Sequence, residues 1–326
     1  MTNKLTNYLK LTIGTTIFSV FLNTNLQSQS FTDSAVKDTV DRLEFNSILY
    51  LEKDLIPSSL KDRALSFPDT PDGKIFQTII NRATAQNLET KDLSEIIQTV
   101  ATNLLGSQYQ AGLLDRSSQE TLVISLQKFD CLLFVETVVA IAKNISTQNY
   151  NYDKFTQNVA QQRYIQGKMT DYCSRLHYFS HWIADNEQRK LVTNITPKIG
   201  GITINKKLNF MTNNRNSYSQ LIKNDKNYHC IAGIEKDLEQ LTFNYIPTHN
   251  IRSIYNQLKP GDIIGIATNI KGLDFTHTGL VYQDQQGNIG LIHASPAGQV
   301  VIARDLQYYV QNVRNAIGIV VARPQL

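Results

Sequence analysis

The feature that most constrains this chain is a series of five short apolar or alternating runs after Pro260. They cover residues 262–267, 277–282, 289–295, 300–303 and 317–322, with Gly, Asn and Pro signals between them at hairpin-like spacing. Runs of that length and spacing read as successive strands of an antiparallel sheet. The chain before them has a different period. An amphipathic run opens at Asp72, and Leu93, Ile96, Ile97, Val100, Leu104 and Leu105 recur at helical spacing until Gly106 supplies a stop. Helices first and strands later, without alternation, argue for an α+β fold rather than a parallel α/β sheet. The resulting division is residues 1–30 as an address, 31–103 as a helical region and 104–326 as the main domain.

The address is read from charge order. No acid precedes Asp33, and Lys4 and Lys10 lead into a mostly apolar run over residues 11–22. That is the layout of a secretory signal, and it falls short of the ~20 residues a membrane-spanning helix needs. Ser28 and Ser30 offer small residues for cleavage before Phe31, so the expected location is periplasmic or secreted, with no stable membrane anchor after cleavage. The whole chain carries a formal charge of +4, two units of which are those lysines. With no basic block and no zinc-finger or RNA-binding signature, nucleic acid is a poor partner. Three cysteines are too few for a disulfide scaffold.

One of them, Cys131, follows Asp130 at a helix start, where Asp130 is placed to cap. Cys131, Val135, Val138 and Ala142 then fall on one stripe. A thiol there meets unpaired N–H groups and the positive end of the helix dipole, which favour a thiolate and can hold an oxyanion. A small buried residue in a core helix fits the same segment equally well. Two histidine-bearing segments shift the balance. If residues 284–287 form the turn and Tyr282 pairs with Asn288, then Gly279 faces Leu291 and His277 faces His293 on one side of a hairpin. A nucleophile, a base and a group that orients the base is what covalent acyl chemistry requires.

These segments resemble a known family. Phe129-Asp-Cys-Leu-Leu-Phe-Val-Glu136, Asp262-Ile-Ile-Gly-Ile266, Gly272-Leu-Asp-Phe-Thr-His-Thr-Gly279 and Ile292-His-Ala-Ser295 are similar to motifs of the N-acetylmuramoyl-L-alanine amidase-like family of NlpC-type, papain-fold cell-wall cysteine hydrolases. The run from Ser174 to Ile183 with Gly200-Gly201, and Asn209-Phe-Met-Thr212 with Tyr218 and Leu221, also match. The likeness extends from about residue 104 to 322. It implies a papain-like fold with the cysteine helix on a mainly antiparallel sheet. By the same resemblance Cys131 is the nucleophile, His277 the base, His293 its orienting partner and Tyr109 a group near the oxyanion. The implied substrate is a peptidoglycan fragment, a muropeptide, cut between N-acetylmuramic acid and L-alanine with no metal or cofactor. Leu133 and His181 depart from the family's pattern, which more often has Thr and an acid there.

Other signals stay open. Arg175 and His177 suit a muropeptide carboxylate or a solvated helix surface, and Asp274 suits a substrate amine or a turn. His177 and His181, four apart on an expected helix, have no evident third ligand for zinc. Cys173 and Cys230 are available for a disulfide. Two further functions compete with the amidase: an endopeptidase cutting a γ-D-glutamyl-diamino acid bond with the same machinery, and a non-catalytic wall-binding module.

Overall fold

In a computed structural model, residues 67–239 and 241–325 are described. The expected signal at 1–30 and the first part of the helical region lie outside them. Two helices come first, α1 (Pro71–Ala85) and α2 (Leu93–Thr102), followed by a two-residue parallel pair, β1 (Gln108–Tyr109) with β2 (Lys128–Phe129). Next are α3 (Cys131–Ser146), α4 (Tyr152–Arg163) and α5 (Phe179–Gln188), then the short strands β3 (Val192–Asn194) and β4 (Ile202–Ile204). Helices α6 (Phe210–Asn213), α7 (Ser219–Ile222) and α8 (Asp225–Leu238) precede β5 (Phe243–Pro247). The remainder is β6 (Ile263–Thr268), β7 (Phe275–Gln283), β8 (Ile289–Ala294), β9 (Val300–Ala303), α9 (Leu306–Gln311) and β10 (Ala316–Pro324).

The large sheet runs β4-β5-β10-β6-β7-β8-β9, with β3 also on β10, and every pairing in it is antiparallel. The fold is therefore α+β, as the change of period implies. All residues of β6 and β8 are buried, because both faces of the sheet are covered. Ile263, Leu280, Ile292 and Val320 face the helical layer of α1 to α5. Ile264, Val281, Leu291 and Ile319 face a second layer built from α9 and the turn of helix at Thr248–Gln257. A third cluster gathers Tyr178, Met211, Tyr218, Leu221 and Ile231 around α6 to α8. Cys173 and Cys230 are joined as a disulfide that ties α8 to the loop before α5.

Helix α3 is the core's axis. Asp130 caps it by accepting the Leu133 N–H at 2.8 Å, and it packs against β7 and β8. Leu133 is fully buried, so the leucine packs. Glu136 and Arg163 form an internal ion pair at 2.8 Å, and the Trp182 indole donates to the same carboxylate, locking α3 to α4 and α5. Burial pushes the Glu136 carboxyl up, and Arg163 pulls it back.

The β7–β8 hairpin departs from the expected register. Tyr282 pairs with Gly290, not Asn288, and Val281 with Leu291. The cause is a turn two residues longer than expected. Asp284 and Asn288 close the loop, the Asp284 side chain accepts the Gln286 and Asn288 N–H groups, and Gly287 adopts φ +84°. A slip of two residues preserves which face each side chain occupies, so the histidines remain on one side. They are no longer directly opposite; His293 now lies beside Gly279.

Candidate active site

Strand β2 ends immediately before Asp130 and Cys131, so the β1–β2 pairing sets Tyr109 alongside Phe129 at the entrance to the cysteine helix. Cys131 is the free cysteine among the described residues and is fully buried. Burial first, and the neighbouring Asp130 charge second, push its thiol well above the ordinary range. The backbone N–H groups of Thr278, Leu132 and Cys131 act in the opposite sense. Thr278 follows His277 in β7, so the sulfur and the histidine strand meet at one point.

His277 Nε2 and His293 Nδ1 are 2.7 Å apart, with the two rings edge to face. The pairing works because Gly279 has no side chain: a Cβ there would stand 2.9 Å from the His293 Cβ. Burial, then the facing His293, holds His277 well below the usual imidazole range, and burial lowers His293 to about 4. Both rings are neutral at neutral pH. His277 Nδ1 is buried with no hydrogen-bond partner among the described residues. A bare, unpaired imidazole nitrogen is what a general base presents.

Tyr309 on α9 completes the surroundings, and the sequence reading missed it. Its ring lies 4.7 Å from that of His293, its hydroxyl is 3.5 Å from His293 Nδ1, and burial pushes its phenol up. No local pattern points to it, since only the packing of α9 on β8 brings it near.

The remaining candidates are engaged elsewhere. Arg175 is buried; its guanidinium bonds Asp115 and the Leu114 carbonyl and approaches Glu120 at 3.8 Å. His177 precedes α5 rather than sharing a helix with His181, and its Nε2 lies 2.7 Å from the Tyr172 carbonyl oxygen. Asp274 is buried in the bend that leads into β7, where it accepts the Ser180 N–H at 2.8 Å and its hydroxyl at 2.6 Å, capping α5 from a distant segment. No group of three or more potential metal ligands occurs among the described residues.

Comparison with known proteins gives this α+β fold its family and its class, the amidase-like hydrolases. The N-acetylmuramoyl-L-alanine amidase-like (AmiA-like) profile matches residues 99–319, and the chain belongs to that family of amidase-like peptidoglycan hydrolases. A solved N-acetylmuramoyl-L-alanine amidase from Bacteroides uniformis is 27% identical at a TM-score of 0.68, over 72% of this chain and 99% of that one. A Bacteroides fragilis protein named as a candidate xylanase is 29% identical at 0.62, over 69% of this chain and 99% of its own. A Legionella pneumophila protein, 21% identical at 0.57 over 78% and 94% of the two chains, shares the fold. No curated protein matches.

Proposed function

We propose that this chain is an exported cysteine amidase with a papain-like, NlpC-type core, which hydrolyses the amide between the lactyl group of N-acetylmuramic acid and L-alanine in muropeptides. The observation that carries the reading is the unpartnered Nδ1 of His277, whose Nε2 is fixed on His293 while the next residue's N–H points at the Cys131 sulfur. The family supplies the wall substrate. A xylanase activity would call for a pair of carboxylates flanking the scissile bond; the groups gathered here are a thiol and two imidazoles.

The resting pair is neutral thiol and neutral imidazole, since burial opposes both charges. Attack and proton transfer are then coupled. His277 Nδ1 takes the thiol proton as the sulfur forms its bond to the lactyl carbonyl carbon, and the Cys131 N–H and Tyr109 hydroxyl receive the oxyanion. The imidazolium returns that proton to the nitrogen of L-alanine, the C–N bond breaks and the free peptide leaves. Water, deprotonated by His277, attacks the thioester and releases the lactyl carboxylate with the thiol restored. Because Arg175 and Asp274 are held by protein partners, recognition of the peptide falls to other groups.

Product mass after incubation with a soluble anhydromuropeptide tests this directly. The wild type is expected to release a peptide beginning with L-alanine, and Cys131→Ala to release none, a loss of at least about 10³-fold. Release of a shorter peptide would keep the cysteine and replace the bond, making the chain a γ-D-glutamyl endopeptidase. No product together with resistance of native Cys131 to alkylation would leave only a wall-binding module.

A further inference from the structure

A muropeptide carries carboxylates on its peptide, and the arginine expected to meet one, Arg175, is spent on Asp115 and the Leu114 carbonyl. Other sheltered cations are matched in the same way: Arg163 by Glu136, Arg189 by Asp185 and Arg323 by Asp262. Among the described residues burial holds down two lysines, Lys143 and Lys206. Lys143 lies in the last turn of the cysteine helix, about 18 Å from Cys131 at 1.5 Å per residue. Lys206 lies beside the histidine strand.

The chain leaves β4 and passes along the connection between β6 and β7, where the Lys206 ammonium donates to the Thr268 carbonyl oxygen. The segment is pinned there again further on. The Asn209 and Phe210 N–H groups both donate to the Gly272 carbonyl, and Gly272, at φ +80°, comes so near that a Cβ would stand 2.4 Å from Asn209 Oδ1. An ammonium has three donors, and the described residues take one of them. That one goes to a neutral dipole. Asp274 attracts Lys206 from a distance, but its carboxylate already accepts from the Ser180 N–H and hydroxyl and from the Phe275 N–H. Burial brings Lys206 down to about 8, so the fold holds a half-buried cation short of an anion.

We propose that Lys206 is a substrate-binding residue: it receives the α-carboxylate of the D-glutamate that follows L-alanine, and so selects the free acid over its amide. This deepens the amidase reading and rests on it. Ile266 pairs with His277, and Thr268 lies two residues further along β6, about 7 Å toward the loop. When D-glutamate is linked onward through its γ-carboxyl, its α-carboxylate stays free, and one alanine separates it from the scissile amide, about 7 Å of extended chain. The two spans agree. A carboxylate in that place takes the open donors of the ammonium in a charge-assisted contact. Amidation removes its charge and replaces one acceptor oxygen by a donor.

Binding can be read apart from cleavage. Calorimetry on the full chain carrying Cys131→Ala compares an anhydromuropeptide containing L-alanine, γ-linked D-glutamate and a diamino acid with the same compound bearing an α-carboxamide on the glutamate. The free acid is expected to bind about tenfold more tightly, the scale of a hydrogen bond to a charged group. Adding Lys206→Gln should bring both compounds to the affinity of the amide, and Lys206→Arg should keep the preference. In the enzyme with Cys131 intact, Lys206→Gln should lower kcat/KM about tenfold for the acid, mainly through KM, and leave the amide within about twofold. Equal binding of the two compounds by the Cys131→Ala protein overturns the proposal, as does binding of neither. A preference that survives Lys206→Gln overturns it too, and an equal loss for both compounds would assign the lysine to holding the loop instead. If the preference depends on Lys206 while the wild type cleaves neither compound, the carboxylate site stands and the amidase reading fails separately.

Discussion

His277 and His293 are uncharged in the fold and ordinary imidazoles once unfolded, and that difference makes stability depend on pH. A depressed folded pKa means the unfolded chain binds more protons below about 6.5, so the contribution is complete above that value. It is lost as pH falls from there through the folded value, about 4 for His293. Each histidine then adds a slope of up to about 1.4 kcal/mol per pH unit. Asp130, raised to about 6 by burial, works in the opposite sense: it favours the fold in acid, and that contribution fades as pH rises through 6. The two effects overlap, and a comparison of variants separates them. His293→Asn should show a flatter loss of urea midpoint between pH 7 and 5 than the wild type. Parallel lines for the two proteins would mean that His293 is not held neutral. That Cys131 opens a helix and that His277 and His293 share one face of a hairpin was legible in the sequence, because a capped helix start and alternating strands are local patterns. The nearness of Tyr309 was not, for it arises only when α9 folds back on β8.

At the scale of elements, five of the strands stand within a residue or two of their expected bounds, because Gly, Asn and Pro mark their ends. Strand β5 was invisible: its alternation is weak, and its partner β10 is about seventy residues away in sequence. Register was legible only up to parity. Burial fixes which face a side chain occupies, whereas the hydrogen bonds of Asp284 fix the loop length, which is two residues longer than the expected register implies. The slip sets Gly279 beside His293. Its missing side chain makes room for His293. Gly279→Ala would put a methyl 2.9 Å from both the His293 Cβ and the Ile292 carbonyl oxygen, so strand or ring must move. Overpacking of this kind costs about 1–3 kcal/mol. The urea midpoint should drop accordingly, and kcat should drop with it because the 2.7 Å imidazole contact is displaced. An alanine protein with wild-type stability and rate would show that the hairpin does not hold this register.

Across the whole molecule, the helices before residue 103 belong to the core that supports the site. Phe76, Ile79 and Ile80 from α1 and Ile96, Ile97 and Val100 from α2 lie in one buried cluster with Val135 and Val138 of the cysteine helix and Leu280 and Ile292 of the histidine strands. The Phe76 ring stacks on Phe155 at 5.1 Å and meets Tyr152 edge-on at 5.3 Å. Polar ties run the same way. Asp72 accepts the Leu126 N–H at 3.0 Å, just ahead of β2 and Cys131, and the Gln98 side chain exchanges two hydrogen bonds with the Gln283 backbone at the end of β7. These ties bear on how residues 67–103 act. If they only capped the substrate groove, removing them would change which muropeptides are accepted and leave a folded enzyme. Their side chains are instead part of the packing beneath both the cysteine helix and the histidine strands, and a core stripped of six large apolar residues cannot close over the gap. Phe76→Ala alone should cost about 3–5 kcal/mol in urea unfolding, and a chain starting at residue 104 should lose cooperative unfolding and amidase activity together. A truncated chain that unfolds cooperatively and still releases the L-alanine-headed peptide would refute the shared core and make the helices an appendage.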